Sequence, residues 1–160
     1  MLERNHCMTD PQKKIALAAD HRGYEAKEKI AVFLKSKGFH VEDCGAYSTE
    51  STDYTDHIFK AAEMIQKGQC AKAIGACYTG IGSTIAANKV RGVRAALVKT
   101  IEEARLSRAH NDSNMLILGA GFLDPAMILP LVETWLETPF EGGRHEERVN
   151  KIKDYEKKCE

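Results

Sequence analysis

Cys77 ends the apolar run Ala73-Ile74-Gly75-Ala76 and is followed at once by Tyr78-Thr79-Gly80-Ile81-Gly82-Ser83. A thiol in that setting could transfer protons or act as a nucleophile. Gly80 and Gly82 can take φ > 0 and bring backbone N–H groups close to a ligand, and a helix starting beyond the loop adds the positive end of its dipole. Ser83 or Thr84 is placed to cap that helix, which the spacing puts at residues 84–89. Other readings stay open from these residues alone. Thr-Gly-Ile-Gly-Ser is a fragment of a dinucleotide-binding fingerprint, and a cysteine in a buried strand is commonly a core residue. Position favours function, because open α/β sheets bind ligands beyond the carboxyl ends of their strands.

Other polar residues fall in comparable places. Asp20 and His21 follow the apolar stretch 14–19, where Asp20 could face a cleft or only cap the next helix. Asp53 and Tyr54 lie in a Ser-, Thr- and Asp-rich loop, residues 45–56, with Tyr54 either a lid aromatic or a packing residue. His110 stands with Asn111 and Asp112 at a helix end, as an acid–base group or as a cation on the helix dipole. Arg144 and Arg148 are four apart on one helical face, so both guanidinium groups could reach one anion or simply be solvated.

The elements that position these residues alternate. Strands are expected at 14–19, 39–44, 73–77, 93–98 and 114–119. Helices are expected at 24–37, from about 57 to Gly68, at 84–89, from a Thr100 cap with Glu103 in the capping-box position, and at 125–136. Such an order predicts a three-layer αβα sandwich, a parallel sheet of Rossmann or flavodoxin type with its second strand near an edge. From Arg144 the tail is charged, with Val149, Ile152 and Tyr155 as an apolar stripe too thin to bury a helix in one core.

A chain of 160 residues is expected to form one domain, here 13–160 after a polar, flexible extension at 1–12. Lys plus Arg and Asp plus Glu number 23 each, which argues against a nucleic-acid or membrane partner. The five cysteines lack disulfide or zinc spacing and fit a reducing cytoplasm. No apolar run reaches the ~18 residues of a membrane span, and no signal peptide is evident.

The chain resembles the B-type ribose-5-phosphate isomerase family, which includes galactose-6-phosphate isomerase subunits. The likeness runs from about Lys14 to Val149. It rests on Ala19-Asp20-His21-Arg22-Gly23, Thr52-Asp53-Tyr54, Cys77-Tyr78-Thr79-Gly80-Ile81-Gly82 with Ala86-Ala87-Asn88-Lys89, Ser107-Arg108-Ala109-His110-Asn111-Asp112, and Glu141-Gly142-Gly143-Arg144-His145. The resemblance implies aldose–ketose isomerisation of ribose 5-phosphate and ribulose 5-phosphate through a cis-enediolate, in the non-oxidative pentose phosphate pathway. It implies neither metal nor cofactor. Cys77 would be the base, Thr79 would steady a hydroxyl proton, and His110 would open the sugar ring. Asp20, His21, Asp53, Tyr54 and Asn111 would bind the sugar, with the backbone of Gly80, Ile81, Gly82 and Ser83 around the developing oxyanion. His21, Arg144 and Arg148 would hold the phosphate. The site would be shared between subunits of a homodimer or tetramer.

Two positions depart from the family pattern: Thr55 where a proline is frequent, and Gly121 where an arginine is frequent. The second leaves six-carbon substrates, allose or galactose 6-phosphate, as an alternative. A phosphate-binding module without turnover and a cysteine hydrolase using Cys77 and His110 are the readings from other classes.

Overall fold

A computed structural model describes residues 10–159. Five strands, β1 (Lys14–Ala19), β2 (His40–Asp43), β3 (Lys72–Cys77), β4 (Ala95–Val98) and β5 (Met115–Gly119), form one parallel sheet in the order β2-β1-β3-β5-β4. The expected second strand is indeed an edge. Six α-helices connect and cover them: α1 (Tyr24–Ser36), α2 (Tyr54–Gln66), α3 (Ile81–Ala87), α4 (Ile101–Ala109), α5 (Ile128–Glu137) and α6 (Arg144–Lys157). The sandwich has the three layers that the alternation predicts.

Because successive strand residues point to opposite faces, each strand feeds two cores. Ile15, Leu17, Ile74, Leu116 and Leu118 pack on one face with Ile30 and Leu34 of α1 and with Leu131 and Trp135 of α5. The Trp135 indole N–H donates to Ser113 Oγ at 2.8 Å, so this large side chain is buried without an orphaned donor. On the other face the strands show smaller residues, Ala16, Ala18 and Ala73, to Ile58, Ala61 and Ala62 of α2 and Ala86 and Ala87 of α3. Gly75 has no room for a Cβ, which would stand 2.7 Å from Ile58 Cδ1. Small residues on this face let α2 and α3 sit close to the sheet and to each other, a closeness that matters for the site below.

Local signals account for the boundaries that differ from expectation. Thr100 accepts from the Glu103 N–H, and Glu103 returns a bond to the Thr100 N–H, completing the expected capping box. The strand expected from 93 starts at Ala95, since the Val93 N–H closes a turn on Val90 and the Arg94 N–H goes to the Asn114 side chain. The helix expected from Pro125 starts as a 3-10 turn, Pro125–Met127, held by Asp124. Pro11–Lys13 likewise forms a 3-10 turn capped by Asp10, and Pro11 O accepts the Ala71 N–H. The stretch expected as an extension to residue 12 therefore meets the fold at its end, while 1–9 lie outside the described residues.

Candidate active site

Cys77 is buried at the carboxyl end of β3, and its Sγ accepts the Gly80 N–H at 3.1 Å. Gly80 makes that contact possible: its φ is +78°, and a Cβ would stand 2.3 Å from Leu97 Cδ1. This left-handed turn starts α3 at Ile81, three residues before the expected start, so the N-cap is Gly80 and neither Ser83 nor Thr84. Thr84 Oγ1 instead donates back to Gly80 O at 2.7 Å. Ser83 sits fully buried in the first turn, and its hydroxyl has no partner among the described residues.

Gly82 is helical rather than left-handed, contrary to the expectation of φ > 0. Its value lies in its missing side chain: a Cβ there would stand 2.5 Å from the Tyr54 ring carbon Cζ and the Tyr54 hydroxyl. Tyr54, the first residue of α2, thus lies directly on the loop after Cys77. Among the loop donors, Gly80 N–H is used by Cys77 and Ile81 N–H by Thr79 Oγ1 at 3.1 Å. The Gly82 and Ser83 N–H groups bond to nothing among the described residues, as expected of the orphan donors of a helix start. The other buried thiols, Cys44 and Cys70, belong to the core, and burial pushes both up, Cys44 to about 11.

Asp20 resolves its two roles partly toward structure. Its Oδ1 accepts the Arg22 and Gly23 N–H groups, each at 2.9 Å, so it shapes the turn into α1. Its Oδ2 stays unengaged among the described residues. His21 Nδ1 accepts the Thr52 N–H at 3.3 Å, which leaves Nε2 to carry the ring proton. Asp53 is exposed and stands at the N-cap of α2 without making a capping bond. His57, not singled out in the sequence, staples this segment: its Nε2 meets Thr52 Oγ1 and its Nδ1 meets Cys44 O, both at 3.0 Å. Only a cross-element contact gives His57 this role, so nothing local could have signalled it.

The remaining site residues lie elsewhere. His110 caps the carboxyl end of α4 and stacks on His145 with ring centroids 4.1 Å apart and planes 9° apart. Glu141 Oε2 lies 3.8 Å from His110 Nε2 and 3.6 Å from His145 Nε2. Burial first, then the neighbouring His110 and Arg144 charges, holds His145 below its ordinary value, so the surface beneath His110 is a neutral imidazole at neutral pH. The ligand atoms of His110, Glu141 and His145 lie within 4.8 Å of one another. With the rings stacked, however, their in-plane lone pairs run parallel and do not converge on one ion. Arg144 and Arg148 project from the first two turns of α6, exposed and without an ion-pair partner among the described residues.

Cys77 and His110 are at opposite ends of the sheet. Cys77 pairs with Gly119, the last residue of β5, whereas Ala73 pairs with Met115, the first. His110 precedes Met115, on the link that enters β5. From Ala73 to Cys77 alone the strand runs about 13 Å, too far for a thiol and an imidazole to meet on one sugar. The residues singled out in the sequence therefore fall into two groups, Asp20, His21, Tyr54, Cys77 and the glycine loop at one end of the sheet, and His110, Asn111, Arg144 and Arg148 at the other.

The Ribose/Galactose Isomerase family model matches residues 15–152. Ribose-5-phosphate isomerase B of Escherichia coli is 39% identical over 140 residues, covering 88% of this chain and 94% of that protein. Among solved structures, ribose-5-phosphate isomerase B of Clostridium thermocellum superposes with a TM-score of 0.89 at 47% identity, covering 92% of this chain and 99% of the other. The Mycoplasma genitalium enzyme with bound ribulose-5-phosphate gives 0.87 at 40% identity, with 90% and 96% covered.

Proposed function

The chain belongs to the Ribose/Galactose Isomerase family, and from that premise we propose that it interconverts ribose 5-phosphate and ribulose 5-phosphate at sites completed by a second copy of itself. The observation that carries the reading is the split of the catalytic groups between the two ends of the sheet, each end holding half of what isomerisation needs. The relatives named above support the aldose–ketose reaction and a phosphorylated sugar as substrate.

The chemistry follows from the groups present. Moving the carbonyl between C1 and C2 needs a base that takes the C2 proton and returns it to C1 while the electron pair shifts onto the carbonyl oxygen. A thiol does this through its thiolate, which is the form that accepts the proton. Cys77, with the Gly80 N–H on its sulfur, takes this role. The orphan N–H groups of Gly82 and Ser83 serve the enediolate oxygen. Thr79 steadies a hydroxyl proton, and Asp20, Asp53 and Tyr54 hold the sugar hydroxyls and cover the ring. The partner's His110 opens the furanose, with Asn111 beside it, and the partner's Arg144 and Arg148 join His21 on the phosphate.

Apolar exposure supports the pairing of copies. Ile152 and Tyr155 of α6 are 50% and 70% exposed beside a groove of about 550 Å3, and Ile81 and Ile85 of α3 are 57% and 58% exposed. Val149 alone of the tail stripe is buried within the chain. A second copy covers the rest. A cysteine hydrolase could use the same pair of groups, and what favours isomerisation over it is the match to the Ribose/Galactose Isomerase family. No helix among the described residues is long and apolar enough to cross a membrane, and a cytoplasmic location is part of the proposal.

The test is a substrate panel under one set of conditions. Ribose 5-phosphate is expected to give the highest kcat/KM, ahead of allose 6-phosphate and galactose 6-phosphate. A higher value for a six-carbon phosphate would overturn the substrate, and no turnover of any of the three would overturn the isomerase reading.

A further inference from the structure

Three side chains left unused above form one row along the carboxyl edge of the sheet. Arg22 follows β1, Tyr78 follows β3 and Phe122 follows β5, and these strands are neighbours in the sheet. The Arg22 guanidinium carbon sits 3.8 Å from the centroid of the Tyr78 ring, and that ring packs against Phe122 at 5.4 Å with a 52° tilt. Gly121 seats the ring: a Cβ at 121 would stand 2.1 Å from Tyr78 Cδ2, and the Gly121 N–H donates to Tyr78 O at 2.9 Å. A missing side chain at 121 is thus what lets an aromatic ring, and an arginine upon it, occupy this rim.

The arginine is poised for a ligand and has none among the described residues. Its backbone N–H is held by Asp20 Oδ1. Among the described residues Arg22 makes no ion pair, whereas Arg94 and Arg108 both bond the Asp112 carboxylate. Stacking engages only the flat face of a guanidinium, so the N–H edges stay open for two parallel bonds to an anion, and the ring removes rotamer freedom before binding. The neighbours set the address: Arg22 adjoins His21, and Tyr78 adjoins Cys77.

We propose that Arg22, positioned by Tyr78, binds the phosphate monoester group of the substrate from the same protomer that supplies Cys77. The inference rests on the isomerase reading for its substrate, but its binding chemistry requires only a phosphate anion. The phosphate does not react, so the contact is made equally in ground and transition states and acts on KM rather than kcat.

The experiment compares the wild type with Arg22→Met, Arg22→Lys and Tyr78→Leu, measuring kcat and KM for ribose 5-phosphate and Ki for inorganic phosphate as competitor. Arg22→Met is expected to raise KM and Ki together by about ten- to a hundredfold with kcat within about twofold, as for a lost charge-assisted bond. Arg22→Lys is expected to recover part of the loss, since a point charge lacks the fork. Tyr78→Leu should shift both constants in the same direction as Arg22→Met. Unchanged KM and Ki in Arg22→Met, or a fall in kcat alone, would overturn the proposal. Should the wild type lack isomerase activity, calorimetric titration of wild type and Arg22→Met with inorganic phosphate still decides it: equal affinities refute Arg22 as a ligand, and a tenfold weaker variant supports it while the isomerase reading falls.

Discussion

Replacing Cys77 by alanine is expected to lower kcat on ribose 5-phosphate by about three to four orders of magnitude, with KM little changed. A positioned general base contributes roughly 10²- to 10⁴-fold, and here the same group must both take the C2 proton and deliver it to C1. Alanine leaves the strand end and the Gly80 turn in place, because that turn is set by the φ of Gly80 and by Thr84 as well as by the sulfur. The Gly80 N–H that faced the sulfur then joins the free Gly82 and Ser83 N–H groups, so substrate binding has no reason to weaken. Cys77→Ser separates acidity from shape: a hydroxyl keeps most of the volume and the bond from Gly80 but ionises far less readily, so it should fall close to alanine in rate. Steady-state kinetics checks both variants, and turnover within tenfold of wild type in Cys77→Ala would remove the thiol from the chemistry.

The second large effect is directional. His110→Asn is expected to lose about two orders of magnitude or more when the substrate is the cyclic aldose. It should lose much less when the substrate is ribulose 5-phosphate, which cannot close to the same furanose. Equilibrium does not forbid the difference, because in the ketose direction the variant can release the open aldehyde, which closes in solution. Asparagine retains a polar group at the end of α4 but gives up the stack on His145 and the approach to Glu141. Single-turnover measurements in both directions are the check, and equal losses would assign His110 another role.

The sequence made the layers and the glycine loop after Cys77 legible because both depend on local patterns. Strands of small apolar residues ending in Asp20-His21 and in Cys77-Tyr78-Thr79-Gly80 read as buried parallel strands with polar carboxyl ends, and the Thr100–Glu103 box marked the start of its helix to the residue. Readings failed where geometry overrode composition. Ser83 and Thr84 are good capping residues, yet Gly80 in the left-handed region starts the helix earlier and turns the Ser83 hydroxyl inward. Gly82 looked like a backbone pivot and is instead a clearance for Tyr54. Gly121 looked like a lost cation, and the structure fills its place with the Tyr78 ring bearing Arg22. No one-dimensional pattern encodes that His57 ties Thr52 to Cys44, or that His145 lies beneath His110, since each contact depends on how a loop or a second helix folds back.

The proposed split of one site between two copies has a direct test in mixed oligomers. Cys77→Ala and His110→Asn protomers, each nearly inactive alone on ribose 5-phosphate, are to be unfolded together, refolded at equal ratio and assayed. If Cys77 acts with the partner's His110, a mixed dimer holds one site with both substitutions and one with neither. Random pairing makes about half the dimers mixed, so activity should return to about a quarter of the wild-type level. If each chain instead uses its own Cys77 and His110, every site in the mixture carries one lesion, and activity would stay at the average of the two inactive parents.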